Sequence, residues 1–346
     1  MEPLKRIINT TSDLIKFQTT KDNPKELKRC VEFVAKQFPK NIHVTKGINK
    51  NKPYVIISVN KTKTPKLLLT GHLDVIEAEQ DQYEPKIRGG RIYGRGSADM
   101  KAGAAIGMQV LKEETEKDIA LMLTTDEEIG GADGIGFLST QGWKPKIVLS
   151  VEPSEQKINI KEKGVLWLKI KTTGKAAHGS TPWKGENAID KVIKKYFEIK
   201  KMFPKPNPKK WRVTMNLGLI KGGQAYNKVP DWAEIGIDIR YTEKDDVEEI
   251  LRKIKKVKDI KIEIAQKQPM LDTDEKDIYM KRLRKIGKTR FRKETGASDI
   301  RFFAKKGVPA ADFGPVGANY HGKNEWVSIK SMGSVYQILK EFIKGL

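Results

Sequence analysis

Four histidines occur in the 346 residues: His43, His72, His178 and His321. His72, His178 and His321 sit in turns flanked by Gly or Asp, where an imidazole can meet a ligand. His72 closes the run KLLLTG and precedes Asp74, an H-x-D pair. Two further apolar runs end in acids, one in Asp126, Glu127 and Glu128, the other in Glu152. Imidazole and carboxylate at successive strand ends suit a metal site on an open α/β sheet, where ligands bind beyond the carboxyl ends of the strands. Oxygen and nitrogen donors without thiolate fit Zn2+, Mn2+ or Co2+. A charge count favours two ions, because two dications neutralise Asp99, Glu128, Glu152 and one hydroxide. Without cations the same carboxylates would repel and raise one another's pKa. Each feature alone has a plainer reading: H-x-D as a surface turn, Glu127–Glu128 as a helix N-terminal charge pair, Glu152 as the start of a turn.

The elements that must carry these residues follow from periodicity. Residues 3–17 and 24–38 space apolar positions three or four apart, which predicts two amphipathic helices. Buried strands are expected at Tyr54–Val59, Lys66–Thr70, Ile119–Thr124 and Lys146–Val151, with a helix at Met100–Glu114. Strands alternating with helices imply an α/β domain whose mainly parallel sheet is covered by helices on both faces. From Gly164 the order becomes strand, helix, strand, strand, helix, strand, the ferredoxin-like split βαβ pattern. After Pro269 the α/β texture returns. The expected boundaries are therefore 1–163 and 271–346 for a discontinuous catalytic domain, with 164–270 inserted as an α+β module. His43 reads as structural. Trp167, Trp183, Trp211 and Trp232 are expected to pack the core of the inserted module.

Composition narrows the function. Lys and Arg number 67 against 44 Asp and Glu, a net charge of +23. Such a charge invites nucleic-acid binding, but Lys outnumbers Arg 54 to 13, and base and phosphate recognition favours the Arg fork. The charge is also dispersed: residues 164–270 hold 24 basic and 13 acidic residues, net +11. A solvated lysine-rich surface is the simpler account. No apolar run approaches the roughly 20 residues of a membrane helix. The N-terminus lacks a signal-peptide pattern and Cys30 is the lone cysteine, so a cytoplasmic setting is expected. Neither a P-loop nor a dinucleotide fingerprint follows a strand.

Six segments carry a resemblance: TGHLDV at 70–75, GRGSADMKAG at 94–103, TTDEEIGG at 124–131, VEPS at 151–154, GKAAHGSTP at 174–182 and YHGKNEWVSI at 320–329. In order and over nearly the whole chain they resemble the dinuclear zinc amidohydrolases. These include aminoacylase, acetylornithine deacetylase, succinyl-diaminopimelate desuccinylase and glutamate carboxypeptidase. The resemblance implies an inserted lid and dimerisation domain and two divalent metal ions, Zn2+ first, with Co2+ or Mn2+ as alternatives. It implies that His72, Asp99 and Glu152 hold one ion and that Asp99, Glu128 and His321 hold the other. Asp74 would orient His72, and Glu127 would be the general base for a metal-bridging water. His178 would steady the oxyanion, often across a dimer interface in this family. Asn227 and Arg240 match substrate-holding positions, and Gly296 and Ser298 fall in a segment like the glycine-rich substrate loop. The implied reaction is hydrolysis of the amide bond of a small N-acyl amino acid or short peptide with a free carboxylate. A broad dipeptidase or carboxypeptidase is the alternative within enzymes. A retired hydrolase that binds nucleic acid is the alternative outside them. Homodimerisation through the lid is expected, and membrane association is not.

Overall fold

Three fully buried, mostly apolar runs are adjacent parallel strands at the centre of the main sheet: Ile119–Thr124, Leu67–His72 and Ile147–Ser150. The computed structural model describes residues 2–346. Among these, Ala310–Asp312 adds a fourth parallel strand beside Ile147–Ser150. Antiparallel strands extend both edges, with His43–Asn49 and Lys52–Ser58 on one side and Ile158–Glu162 on the other, giving a nine-stranded mixed sheet. Side-chain direction alternates along a strand, and the two parities feed two cores. Leu67, Leu69, Leu121, Leu123 and Leu149 pack with Ile7, Leu14, Met108, Leu111, Leu339 and Phe342. Leu68, Ala120, Met122 and Val148 pack with Ile135, Leu138, Ile300 and Phe303. Both faces are thus buried, which is why these strands read as unbroken apolar runs.

The flanking helices include Glu2–Ile15, Pro24–Lys36, Ala102–Glu113 and Ile329–Lys344. Pro24 opens its helix behind Asn23, whose side chain accepts from Glu26 N, and Ser328 caps the last helix through Ser331 N; such caps contribute about 1 kcal/mol each. Cys30 is fully buried, and burial pushes its thiol up to about 12. Since the thiolate is the reactive form, Cys30 is expected to resist a disulfide reagent at pH 8 until the protein unfolds. Thiol titration with and without denaturant checks this.

A second sheet was not evident from periodicity. Lys86–Arg88, Arg91–Tyr93, Trp326–Ser328 and Gly317–Ala318 form four short antiparallel strands. It brings the turn after Tyr93 beside the loop before Trp326, although more than 200 residues of chain lie between them.

The chain divides into two compact units. The larger runs to Lys161 and resumes over Leu271–Glu294 and Ser298–Leu346. The smaller comprises Glu162–Met270 with Thr295–Ala297. The smaller unit holds a four-stranded antiparallel sheet in the order Thr214–Gly222, Trp232–Tyr241, Gly164–Thr173, Lys261–Gln268. Helices Ala188–Lys200 and Val247–Lys255 contribute Val192, Ile199, Leu251 and Ile254 to its core. The tryptophans do not build that core. Leu166, Leu168 and Ile170 point inward, so Trp167 must point the other way. Trp232 likewise has the opposite parity to Ala233, Ile235 and Ile237. Trp167, Trp183 and Trp232 are exposed, Trp183 by 77%. Trp211 is half-buried and donates its indole N–H to Glu243 at 2.8 Å.

Candidate metal centre

The register of the central strands places the chemistry at one edge. His72 ends its strand opposite Thr124 of the neighbouring parallel strand, and Thr70 lies opposite Ser150 of the other. The carboxyl ends of these strands therefore release His72, the Asp126–Glu128 segment and Glu152 side by side. Asp99 reaches them from the turn Ser97–Lys101 that precedes helix Ala102–Glu113. His321 arrives from the loop before Trp326–Ser328.

Two groups of potential ligands result: His72, Asp99 and Glu152, and Asp99, Glu128 and His321. His72 Nε2 lies 3.1 Å from Asp99 Oδ1 and 3.5 Å from Glu152 Oε1. His321 Nε2 lies 3.3 Å from Asp99 Oδ2 and 3.2 Å from Glu128 Oε2. Asp99 thus turns one oxygen to each group, as an acid shared by two cations must. Glu127 belongs to neither group, and its Oε2 stands 4.0 Å from His72 Nε2.

The electrostatics agree with a site made for positive charge. Burial pushes the His72 pKa down, but Glu152, Asp74 and Asp99 outweigh it and hold it well above 6.5. Hydrogen bonds with Asp99 and Glu128 push His321 up to about 10. Burial and neighbouring acids raise Glu127 and Glu152 well above the ordinary carboxylate range. Burial opposes ionisation of Asp99, yet its bonds to His321 and His72 win and its pKa is lowered. Crowded acids that draw protons in this way draw divalent cations by the same field. The nitrogen and carboxylate donor set, with no thiolate, fits such ions.

The supporting contacts differ in part from expectation. The nearest partner of His72 Nδ1 is the main-chain oxygen of Asp74 at 2.9 Å, while the Asp74 carboxylate stands at 3.5 Å. That carboxylate instead accepts from the backbone N–H groups of Glu127 (3.3 Å) and Glu128 (3.1 Å). Asp74 therefore orients His72 mainly through its backbone and fixes the acidic turn through its side chain. The turn ends in Gly130 and Gly131, both left-handed. A Cβ at Gly131 would lie 1.7 Å from Asp299 Oδ1, so only glycine fits there. Arg301, 2% exposed, donates to Gly130 O at 2.8 Å. Asp126 Oδ2 accepts from Asp133 N and Gly134 N at 2.9 Å each. Burial, with Asp299 and Asp74 nearby, pushes Asp126 up to about 7.

Sequence reasoning assigned no role to Asp299, Arg301, Arg95 or Glu325. Arg95 and Glu325 lie in quoted segments, and Asp299 and Arg301 follow shortly after Ser298; the signal was a charged side chain in a motif with no chemistry left to perform. Ser298 is buried and its hydroxyl donates to Asp312 at 2.8 Å. Gly296 is exposed and clusters with the smaller unit.

In the smaller unit, Ala177–His178 pairs with Lys228–Val229, and Gly179 N donates to Asn227 O at 2.7 Å. His178 and Asn227 are therefore neighbours, and both are exposed. Ser180 N donates to His178 Nδ1 at 3.2 Å, which places the proton of a neutral ring on Nε2. Arg240 lies near the end of strand Trp232–Tyr241, and its Nε donates to Asp238 at 2.9 Å.

A parallel-centred α/β sheet whose strand tips gather two imidazole–carboxylate groups sharing one acid is a site suited to a pair of divalent cations. The sequence pattern of Peptidase family M20/M25/M40 matches residues 68–345, and the chain belongs to that family. A probable succinyl-diaminopimelate desuccinylase of Staphylococcus aureus is 28% identical over 277 residues, covering 68% of each chain. A tripeptidase of Staphylococcus aureus shares the fold at a TM-score of 0.79 and 20% identity, over 99% of this chain and 98% of that one. A Bacillus subtilis protein described as a dinuclear metal binding peptidase matches at a TM-score of 0.71 and 12% identity, over 99% and 98%. Among the described residues, no helix is long and apolar enough to cross a membrane.

Proposed function

We propose that this protein hydrolyses the amide bond of a small N-acyl amino acid or short peptide bearing a free carboxylate, using two divalent cations. The observation that carries this reading is the sharing of Asp99 between two three-residue groups at the strand tips. His72, Asp99 and Glu152 would hold one cation and Asp99, Glu128 and His321 the other, with Zn2+ ahead of Co2+ and Mn2+. When bound, the cations supply Lewis acidity, polarising the scissile carbonyl and bringing the pKa of water toward neutrality.

The chain's own residues do the rest. Glu127, next to a ligand yet outside both groups, takes the proton of the attacking water and delivers it to the leaving amine. His72 is held in one tautomer by the Asp74 main-chain oxygen, which leaves Nε2 to face the site. His178 presents its Nε2 proton to the developing oxyanion. Asn227 holds a polar group of the substrate, and Arg240, whose contact with Asp238 uses Nε alone, grips the carboxylate with its terminal amines. Residues 164–270 act as the lid. Its edge strand Thr214–Gly222, with Leu219 and Ile220 exposed, is the surface through which two copies pair. The net charge of +23 raises the local concentration of anionic substrates.

Desuccinylation or deacetylation is favoured over peptide cleavage by the match to the desuccinylase, and the tripeptidase fold keeps the peptidase reading in play. Assay of N-succinyl-diaminopimelate, N-acetylornithine and di- and tripeptides with Zn2+, Co2+ or Mn2+ separates the two. Amidating the substrate carboxylate is expected to lower kcat/KM by about 10–100-fold, the equivalent of a lost hydrogen bond between charged groups. Equal turnover of the amidated compound would contradict the assignment of a carboxylate-bearing substrate.

A further inference from the structure

The second ligand group is assembled from three segments far apart in sequence, and one buried carboxylate joins two of them. Glu325 is 1% exposed. Its Oε2 accepts from Arg95 Nη1 at 2.7 Å and Gly96 N at 3.1 Å. Its Oε1 accepts from Ala98 N at 2.9 Å and Asp99 N at 3.1 Å. Four donors match the roughly four lone-pair sites of a carboxylate, and all four come from the turn that ends in Asp99. Arg95, 3% exposed, extends the clamp by donating from Nη2 to Gly322 O at 3.3 Å. The clamp therefore ties the Asp99 turn to the loop that carries His321. That loop needs holding, because His321 has φ +61°, a conformation that residues other than glycine seldom adopt.

We propose that Glu325 is a positioning residue that keeps His321 in register with Asp99, and that it thereby sets the affinity of the Asp99–Glu128–His321 cation site more than that of its neighbour. The asymmetry follows from anchorage. Asp99, common to both groups, takes one bond from the clamp through its N–H, but its partners in the first group, His72 and Glu152, follow directly from central strands, whereas in the second His321 rests on the clamp as well. In the second group only Glu128, whose backbone N–H is held by Asp74, has an anchor of its own.

This inference rests on reading the two groups as cation sites, so its test compares sites within one protein. Metal-free wild type, Glu325→Gln and His321→Ala are each titrated with Co2+ alone by calorimetry. Gln keeps the shape but turns an amide N–H2 toward donors that need an acceptor. Wild type is expected to bind two equivalents. Glu325→Gln is expected to bind one within a few-fold of the wild-type affinity, and the other about 10–100-fold more weakly, the usual cost of losing a partner that supports a ligand. His321→Ala sets the pattern to be matched. General destabilisation would weaken both sites together, and circular dichroism of the metal-free proteins reports folding. Should Glu325→Gln not fold, Arg95→Lys, which keeps the cation and loses the fork, carries the same comparison. Two sites of wild-type affinity in the folded variant, or an equal loss at both, would overturn the positioning role and leave the cation sites standing. Absence of cation binding by wild type would overturn the reading of the sites themselves.

Discussion

Replacing Glu127 by Gln is expected to leave cation binding intact and to slow hydrolysis by about 10²–10⁴-fold, the range of acid–base catalysis. The side chain lies outside both ligand groups, so its amide removes no ligand. Its position, 4.0 Å from His72 Nε2 and on the same turn as Glu128, puts it within reach of a water held between the groups. Gln preserves that position and cannot take the proton. Alone, the half-buried carboxyl holds its proton well above the ordinary range, and nearby dications would favour the carboxylate that the reaction requires. Steady-state kinetics with metal content measured on the same samples checks both halves. Loss of metal together with activity would make Glu127 a ligand.

Asp99→Asn is expected to be more damaging, because it removes the acid that faces both groups. Asp99 Oδ1 and Oδ2 stand 3.1 Å from His72 and 3.3 Å from His321, so the amide forfeits a charged donor on each side and turns N–H2 toward one. Removing a partner that merely supports a ligand costs about 10–100-fold in metal affinity; removing a shared ligand is expected to exceed that at both sites and to abolish turnover. Metal content after dialysis, with activity at increasing Zn2+, is the measurement. A variant that retains both ions would contradict the sharing.

The central strands were legible because burial on both faces leaves a strand no polar position, and Leu67–His72, Ile119–Thr124 and Ile147–Ser150 stand within a residue or two of their expected limits. Acids and imidazole at their ends were legible for the same reason. The small sheet of Arg91–Tyr93 and Trp326–Ser328 was not, since strands of two or three residues carry no periodicity. Its absence from the reading hid why Asp99 and His321 meet, and with it the part played by Glu325. The resemblance implied that Asp74 orients His72, but a motif match does not distinguish a backbone oxygen from a carboxylate. The tryptophans were misplaced because size suggested a core where strand parity, readable in Leu166, Leu168 and Ile170, already pointed Trp167 outward.

Crystals of the wild-type protein grown with Zn2+, and an anomalous difference map recorded at the zinc edge, test the account most directly. Two peaks are predicted, one beside His72 and Glu152, the other beside Glu128 and His321, each touching an oxygen of Asp99. A single peak, or zinc bound away from these side chains, would contradict it.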